Sequence, residues 1–171
     1  MSLLFPDLYL ENVIQIDKSM LDSLGVTALI LDIDNTLTTH NNPAIGQDVR
    51  DWLAGLTSQG VGVVLLSNNR PQRVSSFAEQ VNLPCCPNAM KPLSKGMKQA
   101  RSLLGNPPIK QIAVVGDQIF TDVLGGNLYG ATTIRVEPLQ KEGGLFFRFK
   151  RMLENSVMKR YNKKRGAKVD G

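Results

Sequence analysis

Four strand-length stretches punctuate the chain: apolar runs at 28–31 and 61–66, 111–115 opened by Gln111, and a more mixed 131–136. Runs of this length are too short for typical helices and suit strands buried on both faces of a parallel sheet. Between them the apolar positions recur at helical spacing. Ile45, Val49, Trp52, Leu53 and Leu56 form one stripe, ended by Gly60. Pro71 suits the start of a second helix with Val74, Phe77, Ala78 and Val81 inward. Pro92 opens a third, carrying Leu93, Met97, Ala100, Leu103 and Leu104, which Gly105 to Pro108 breaks. A short helix is expected over about 121–128, and residues 1–24 read as a partly helical preamble packed on the domain. Strands alternating with helices of this length predict an α/β fold, a doubly wound parallel sheet with right-handed crossovers. The expected organisation is one domain over 1–140, preamble included, and a basic amphipathic helical tail over 141–171.

Composition changes that picture little. The 171 residues are 42% hydrophobic and 20% charged, ordinary for a globular domain with its own core. No stretch approaches the roughly 18 uninterrupted apolar residues of a membrane span. The first residues lack a basic region and carry acids early, which argues against a secretory signal. The two cysteines, Cys85 and Cys86, are adjacent and suit packing or loop positions in a reduced, cytoplasmic protein. His40, the single histidine, suits a loop and leaves no histidine metal site. Charge is uneven. Residues 141–171 hold ten Lys/Arg against three Asp/Glu, so the net +5 is a basic tail on a domain of about −2.

The chemistry gathers where the strands end. The first run passes straight into Asp32, Ile33, Asp34, Asn35 and Thr36. In an extended chain Asp32 and Asp34 share a face roughly 7 Å apart. Two anions that close attract a metal, a cation or a proton. The second run ends in Ser67, Asn68 and Asn69, and the third in Gly116 and Asp117, with Asp122 close behind. Lys91 precedes a helix start. Parallel strands put these ends on one edge, where open α/β sheets bind ligands. Hard oxygen ligands without His or Cys suit Mg²⁺, while a hydroxyl, amides and a lysine suit phosphoryl oxygens. Each piece has a plainer reading. Asp34 to Thr36 can be a turn, Ser67 to Asn69 a helix cap, Lys91 a solvated lysine, Asp122 a cap, Gly125-Gly126 a turn, and Trp52 a core residue.

DIDNTL, SNN, KP and GDQIFTD, in that order, resemble the four motifs of the haloacid dehalogenase (HAD) superfamily of phosphohydrolases. The match spans roughly residues 25–136. The PDLY preamble, the NAMKP loop and GDQIFTDVLGGN are similar to its YqeG-like branch, related to phosphatidylglycerophosphate phosphatases. The resemblance implies a Mg²⁺-dependent phosphomonoester hydrolase working through an aspartyl-phosphate. Asp32 would be the nucleophile. Asp34 would be the acid and base, with its backbone carbonyl on the metal. Asp117 would be a further metal ligand, with Asp122 placing metal-bound water or Lys91. Lys91 would offset phosphoryl charge, and Ser67 and Asn68 would bind phosphoryl oxygens. Thr36 and Asn69 would fix the turn and the pocket wall.

Substrate access follows from spacing. Thirty-two residues separate Asp34 from Ser67 and twenty-three separate Ser67 from Lys91, too few in either place for a cap domain. An open site favours a phosphomonoester presented on something large, such as a membrane lipid. In the tail, Leu145, Phe146, Phe149, Met152, Leu153 and Val157 make an apolar arc, with Arg148, Arg151 and Lys159 away from it. Residues 145–165 could therefore rest on the cytoplasmic face of an anionic bilayer, or simply dock on the domain. Two other functions stay open: a non-enzymatic phospho-accepting module, and an RNA or ribonucleoprotein binder using the tail. No nucleic-acid recognition module supports the last. Oligomeric state is not legible.

Overall fold

The computed structural model describes residues 2–39, 42–140 and 145–169, with side chains in the last segment described for 152–164. His40, Gly143 and Gly144 lie outside the described residues. Six strands form one all-parallel sheet: β1 (Leu8–Leu10), β2 (Ala28–Leu31), β3 (Gly62–Leu66), β4 (Cys85–Cys86), β5 (Ile112–Gly116) and β6 (Thr132–Val136). Their spatial order is β1-β6-β5-β2-β3-β4. β2 sits between β3 and β5, with Ile30 paired to Val64 on one side and Val114 on the other. The chain leaves β2 towards β3 and later returns on the opposite side at β5. The switch point of the sheet therefore lies at the carboxyl end of β2, the usual ligand position in open α/β sheets.

The helices are α1 (Lys18–Ser23), α2 (Gln47–Ser58), α3 (Pro71–Val81), α4 (Ser94–Leu103), α5 (Leu124–Tyr129) and α6 (Leu145–Val169). Strand alternation divides the interior into two layers. Leu29, Leu31, Val63, Leu65, Ala113 and Val115 face Leu21 of α1, Leu53 and Leu56 of α2 and Phe77 of α3. Ile30, Val64, Leu66, Ile112 and Val114 face Met97 and Ala100 of α4. No separate cap domain interrupts this core.

Several local expectations need correction. The preamble supplies a sixth strand, β1, which pairs with β6 at the sheet edge before a short turn and α1. Its three residues are only half-buried, so no apolar run marked it. Cys85 and Cys86 pack on the core as one of the two expectations had it, but in a strand, β4, rather than a loop. The third helix starts at Ser94, so Pro92 and Leu93 precede it, and Leu93 and Leu103 are exposed. Gly125 and Gly126 are not a turn but the start of α5. A Cβ on Gly126 would lie 2.5 Å from Thr133 Cγ2, and one on Gly125 3.2 Å from Pro92 Cα. These glycines let α5 lie flat on the sheet and against the loop before α4. Trp52 packs on the core, its indole donating to Ile16 O at 2.7 Å.

The tail docks on the domain with Val157 of the expected arc packed in and Met158 and Tyr161 buried beyond it, while the side chains of Leu145, Phe146 and Phe149 lie outside the described ones. Met158 and Tyr161 are buried with Ile119, Phe5 and Tyr9, and Glu154 is buried beside them. Met152 and Leu153, members of the expected apolar arc, point to solvent. No helix among the described residues is long and apolar enough to cross a membrane.

Candidate active site

The turn after β2 carries the first two candidates to different partners. Asp32 N donates to Val115 O at 2.9 Å, which extends the β2–β5 ladder by one residue and holds Asp32 at the sheet edge. Asn35 then takes a left-handed conformation (φ 63°), tolerated by Asn better than by most side chains, and its N–H donates to Thr38 O at 2.7 Å. This tight reversal buries Asn35, Thr36 and Leu37 and leaves Asp34 half-buried.

The Asp32 carboxylate meets an ammonium. Lys91 Nζ lies 2.5 Å from Asp32 Oδ1 and 2.6 Å from Asp122 Oδ1, and all three side chains are buried. Thr36 Oγ1 stands 3.4 Å from the other Asp32 oxygen. Lys91 is held by its backbone: Asn68 accepts from Lys91 N at 2.7 Å and donates to Lys91 O at 3.2 Å. Burial pushes Asp32 up to about 7 against the pull of Lys91, with the Asp122 charge adding to the rise. Burial acts to lower Lys91, but the Asp122 and Asp32 charges outweigh it and hold the ammonium above its ordinary range.

Two more aspartates complete the cluster. Asp117 follows β5 directly and is fully buried, and its carbonyl accepts from Arg135 Nε at 3.3 Å. Asp122 lies in a π-helical turn, Ile119–Val123, and its second oxygen accepts from Gln118 N at 3.1 Å. It reaches back towards the sheet only because residue 116 is glycine. A Cβ there would stand 2.3 Å from Asp122 Cγ. Carboxylate oxygens of Asp32, Asp117 and Asp122 all come within 4.8 Å of one another. Three hard oxygen donors so placed, with no His or Cys among them, fit a divalent cation that prefers oxygen.

Asp34 belongs to a different neighbourhood. Arg73 Nη2 of α3 lies 3.0 Å from Asp34 Oδ1, and Asn69 Nδ2 donates to Asp34 Oδ2 at 3.1 Å. The Asp34 carboxylate is thus outside the three-carboxylate cluster. Ser67 is buried at the end of β3, its hydroxyl accepting from Asn69 N at 3.1 Å. Asn68 was expected on phosphoryl oxygens, whereas its side-chain amide is engaged with the Lys91 backbone.

Three residues escaped sequence reasoning. Arg73 pairs with Asp34, Arg135 is buried under the Asp117 loop with its guanidinium 5.3 Å from the Tyr9 ring centre, and Glu154 of α6 accepts from Ile119 N at 3.0 Å. Glu154 ties the tail to the loop bearing Asp117 and Asp122. None carries a local signal, since each acts on a partner at least 18 positions away.

A buried aspartate at the end of the central strand, beside a lysine and two further aspartates delivered by later loops, defines a haloacid dehalogenase-type phosphatase. Residues 1–139 match the family model described as Mitochondrial PGP phosphatase, and the chain belongs to that family. It is 33% identical over 161 residues to "Probable phosphatase YqeG" of Bacillus subtilis (strain 168), covering 93% of this chain and 92% of that one. It is 28% identical over 154 residues to the chloroplastic phosphatidylglycerophosphate phosphatase 1 of Chlamydomonas reinhardtii, with 85% of this chain and 57% of that protein covered. Among solved structures, a haloacid dehalogenase-like hydrolase from Brucella suis 1330 shares the fold, with a TM-score of 0.52 at 13% identity. That likeness covers 73% of this chain and 92% of the other.

Proposed function

We propose that the protein is a Mg²⁺-dependent phosphomonoesterase acting through an aspartyl-phosphate on Asp32, with phosphatidylglycerophosphate as its substrate. The observation that carries the chemistry is the buried contact of Asp32 with Lys91, 2.5 Å long, inside a cluster of three carboxylates at the sheet's switch point. The lipid assignment rests on the family match, the name of the Chlamydomonas relative and the absence of a cap over the site.

Asp32, Asp117 and Asp122, with the Asp34 carbonyl, would hold the Mg²⁺. When bound, the ion neutralises phosphoryl charge and favours the ionised form of Asp32. An oxygen of Asp32 attacks phosphorus, and the bond from phosphorus to the ester oxygen breaks. Asp34 gives its proton to the departing alkoxide. Water then attacks phosphorus, Asp34 takes a proton from it, and the bond between phosphorus and the Asp32 oxygen breaks to release phosphate. Lys91 offsets negative charge on the phosphoryl group and separates Asp32 from Asp122 before substrate arrives. Ser67 and neighbouring N–H groups accommodate the phosphoryl oxygens. Asn68 works indirectly by fixing the Lys91 backbone.

The test is phosphate release from phosphatidylglycerophosphate in mixed detergent micelles, with and without Mg²⁺, beside a panel of soluble phosphomonoesters. The reading expects metal-dependent release with preference for the lipid, abolished in Asp32→Asn. Release from soluble esters alone would overturn the lipid assignment. A stable phosphoprotein with no turnover would overturn the enzyme in favour of a phospho-accepting module.

A further inference from the structure

Among the described residues two cations pair with the aspartates of the turn after β2, and they are not equivalent. Lys91 is buried and engaged by Asp32 and Asp122, where the transferring phosphoryl group would lie. Arg73 stands on Asp34 instead, with Nη2 3.0 Å from Oδ1, and its side chain is 20% exposed. Asn69 already donates to the other Asp34 oxygen at 3.1 Å, and a neutral amide is enough to orient a carboxylate. Arg73 adds a charge and donors that Asp34 does not use. Its bond to Asp34 is the one it makes among the described residues, and its Nε is buried with no hydrogen-bond partner. Such an N–H is costly to leave unpaired, and the guanidinium is a planar fork of five donors suited to oxyanions. The fork is held in place. Arg73 lies in the first turn of α3, with its Cζ 5.9 Å from the ring centre of the fully buried Phe77.

The proposed chemistry says what lies beside this fork. To protonate the departing alkoxide, Asp34 must come within about 3 Å of the ester oxygen. Arg73 is bonded to the same carboxylate, which puts it on the leaving-group side of phosphorus, roughly 6–8 Å from that oxygen. A hydrogen-bonded line joins the two subsites, from the Ser67 hydroxyl through Asn69 and Asp34 to Arg73. We infer that Arg73 reads the leaving alcohol, binding an oxyanion that the alcohol carries a short carbon chain away from the ester. One arm of the fork stays on Asp34 while another takes the oxyanion, an arrangement that a lysine could not reproduce. The substrates so selected are phosphomonoesters of alcohols that are themselves anionic. The inference rests on the phosphatase reading and narrows it. Phosphatidylglycerophosphate qualifies, since its leaving alcohol holds a phosphodiester at the far end of the glycerol.

The experiment gives the full chain and Mg²⁺ three soluble esters. Glycerol 3-phosphate has a neutral alcohol, 3-phosphoglycerate one with a carboxylate, and glycerophosphoglycerophosphate, the deacylated lipid headgroup, one with a phosphodiester. The kcat/KM of each anionic ester is divided by that of glycerol 3-phosphate, for wild type, Arg73→Gln and Arg73→Lys. Each ratio is taken within one protein, so losses from a misplaced Asp34 or a smaller folded fraction cancel. The expected wild-type preference for an anionic alcohol is about tenfold or more and resides mainly in KM. Arg73→Gln should erase it and Arg73→Lys keep part of it, and the better anionic ester tells phosphodiester from carboxylate. No preference in the wild type would overturn the inference. So would a preference that survives Arg73→Gln with all three esters falling alike, which would leave Arg73 as a residue that only places Asp34. Titration calorimetry of the same esters on Asp32→Asn, with and without Arg73→Gln, reads the subsite when nothing turns over. An Arg73-dependent preference in binding without hydrolysis of any ester sinks the phosphatase and keeps the subsite. Hydrolysis without such a preference sinks the subsite alone.

Discussion

Two aspartates stand two residues apart on one turn, yet their surroundings differ in almost every respect. Asp32 is buried against Lys91 and Asp122, among groups that come from the loops after β4 and β5. Asp34 is half-buried between Asn69 and Arg73 of α3, with its charge still near enough to raise Asp32. The left-handed Asn35 follows both and turns the chain back, its N–H donating to Thr38 O. The contrast teaches how one short motif can supply two roles. On the proposed mechanism the attacking Asp32 is buried beside an ammonium, while Asp34, the proposed acid and base, is less buried.

The largest effect expected on this contrast is from Asp32→Asn. Removing a nucleophile should lower kcat by about 10⁴-fold or more, while Asp34→Asn leaves an enzyme that can still be phosphorylated by substrates with good leaving groups. Rapid-quench kinetics on such an ester would separate the two.

Next is Lys91→Met. Taking away the ammonium leaves Asp32 and Asp122 buried side by side, so metal-free stability should fall by about 3–5 kcal/mol in denaturant titrations. Mg²⁺ should restore much of that loss, whereas kcat should remain down by about 10²–10³-fold. Equal loss with and without Mg²⁺ would break the argument that lysine and metal share these carboxylates.

The pH dependence sharpens the same side. Burial lifts Asp32 to about 7 in the metal-free protein, far above an unfolded carboxylate. The folded state therefore keeps a proton there, and this contribution to metal-free stability is present at low pH and lost as pH rises through about 7. Binding Mg²⁺ must displace that proton, so affinity should weaken by about tenfold per unit as pH falls below 7. The Mg²⁺-induced rise in Tm should accordingly grow between pH 6 and 8, and stay flat in Asp32→Asn.

Smaller effects are expected at the supporting residues. Arg73→Gln should cost about 1–2 kcal/mol by removing a mostly buried charged hydrogen bond, and should slow turnover without altering Mg²⁺ affinity. Glu154→Gln should do the reverse, weakening Mg²⁺ binding a few-fold through the Asp117–Asp122 loop while sparing kcat at saturating metal. Isothermal titration beside steady-state kinetics would expose a swap of these two signatures.

The central strands were legible because a strand buried on both faces must be apolar throughout and because each ends in chemistry. β2, β3 and β5 follow that rule, while β6, with buried Thr133 and Arg135, was marked by Ile134 and Val136 alone. β1 and β4 do not, being three and two residues long, so their apolar content is too slight to stand out. Asp32, Lys91, Asp117 and Asp122 were expected together, and they meet. The pairing of Asp34 with α3 was not legible, because its partners Arg73 and Asn69 lie 39 and 35 positions away and carry no local signal. The docked face of α6 was legible only at Val157, for another reason. Its first contact is a buried Glu154, a residue that any apolar pattern assigns to solvent, and its compensation by Ile119 N arises only in the folded chain. Gly116 shows the same dependence, since its missing side chain is explained by an aspartate six positions later.

The most direct test of the account is to trap the covalent intermediate. The enzyme would be mixed with substrate and Mg²⁺, quenched within one turnover with borohydride, and digested for peptide mass spectrometry. An acyl-phosphate on Asp32 is reduced to homoserine, so the account predicts that residue at position 32, dependent on substrate and absent when Asp32 is asparagine. Turnover with position 32 unmodified, or reduction found at Asp34 instead, would contradict it.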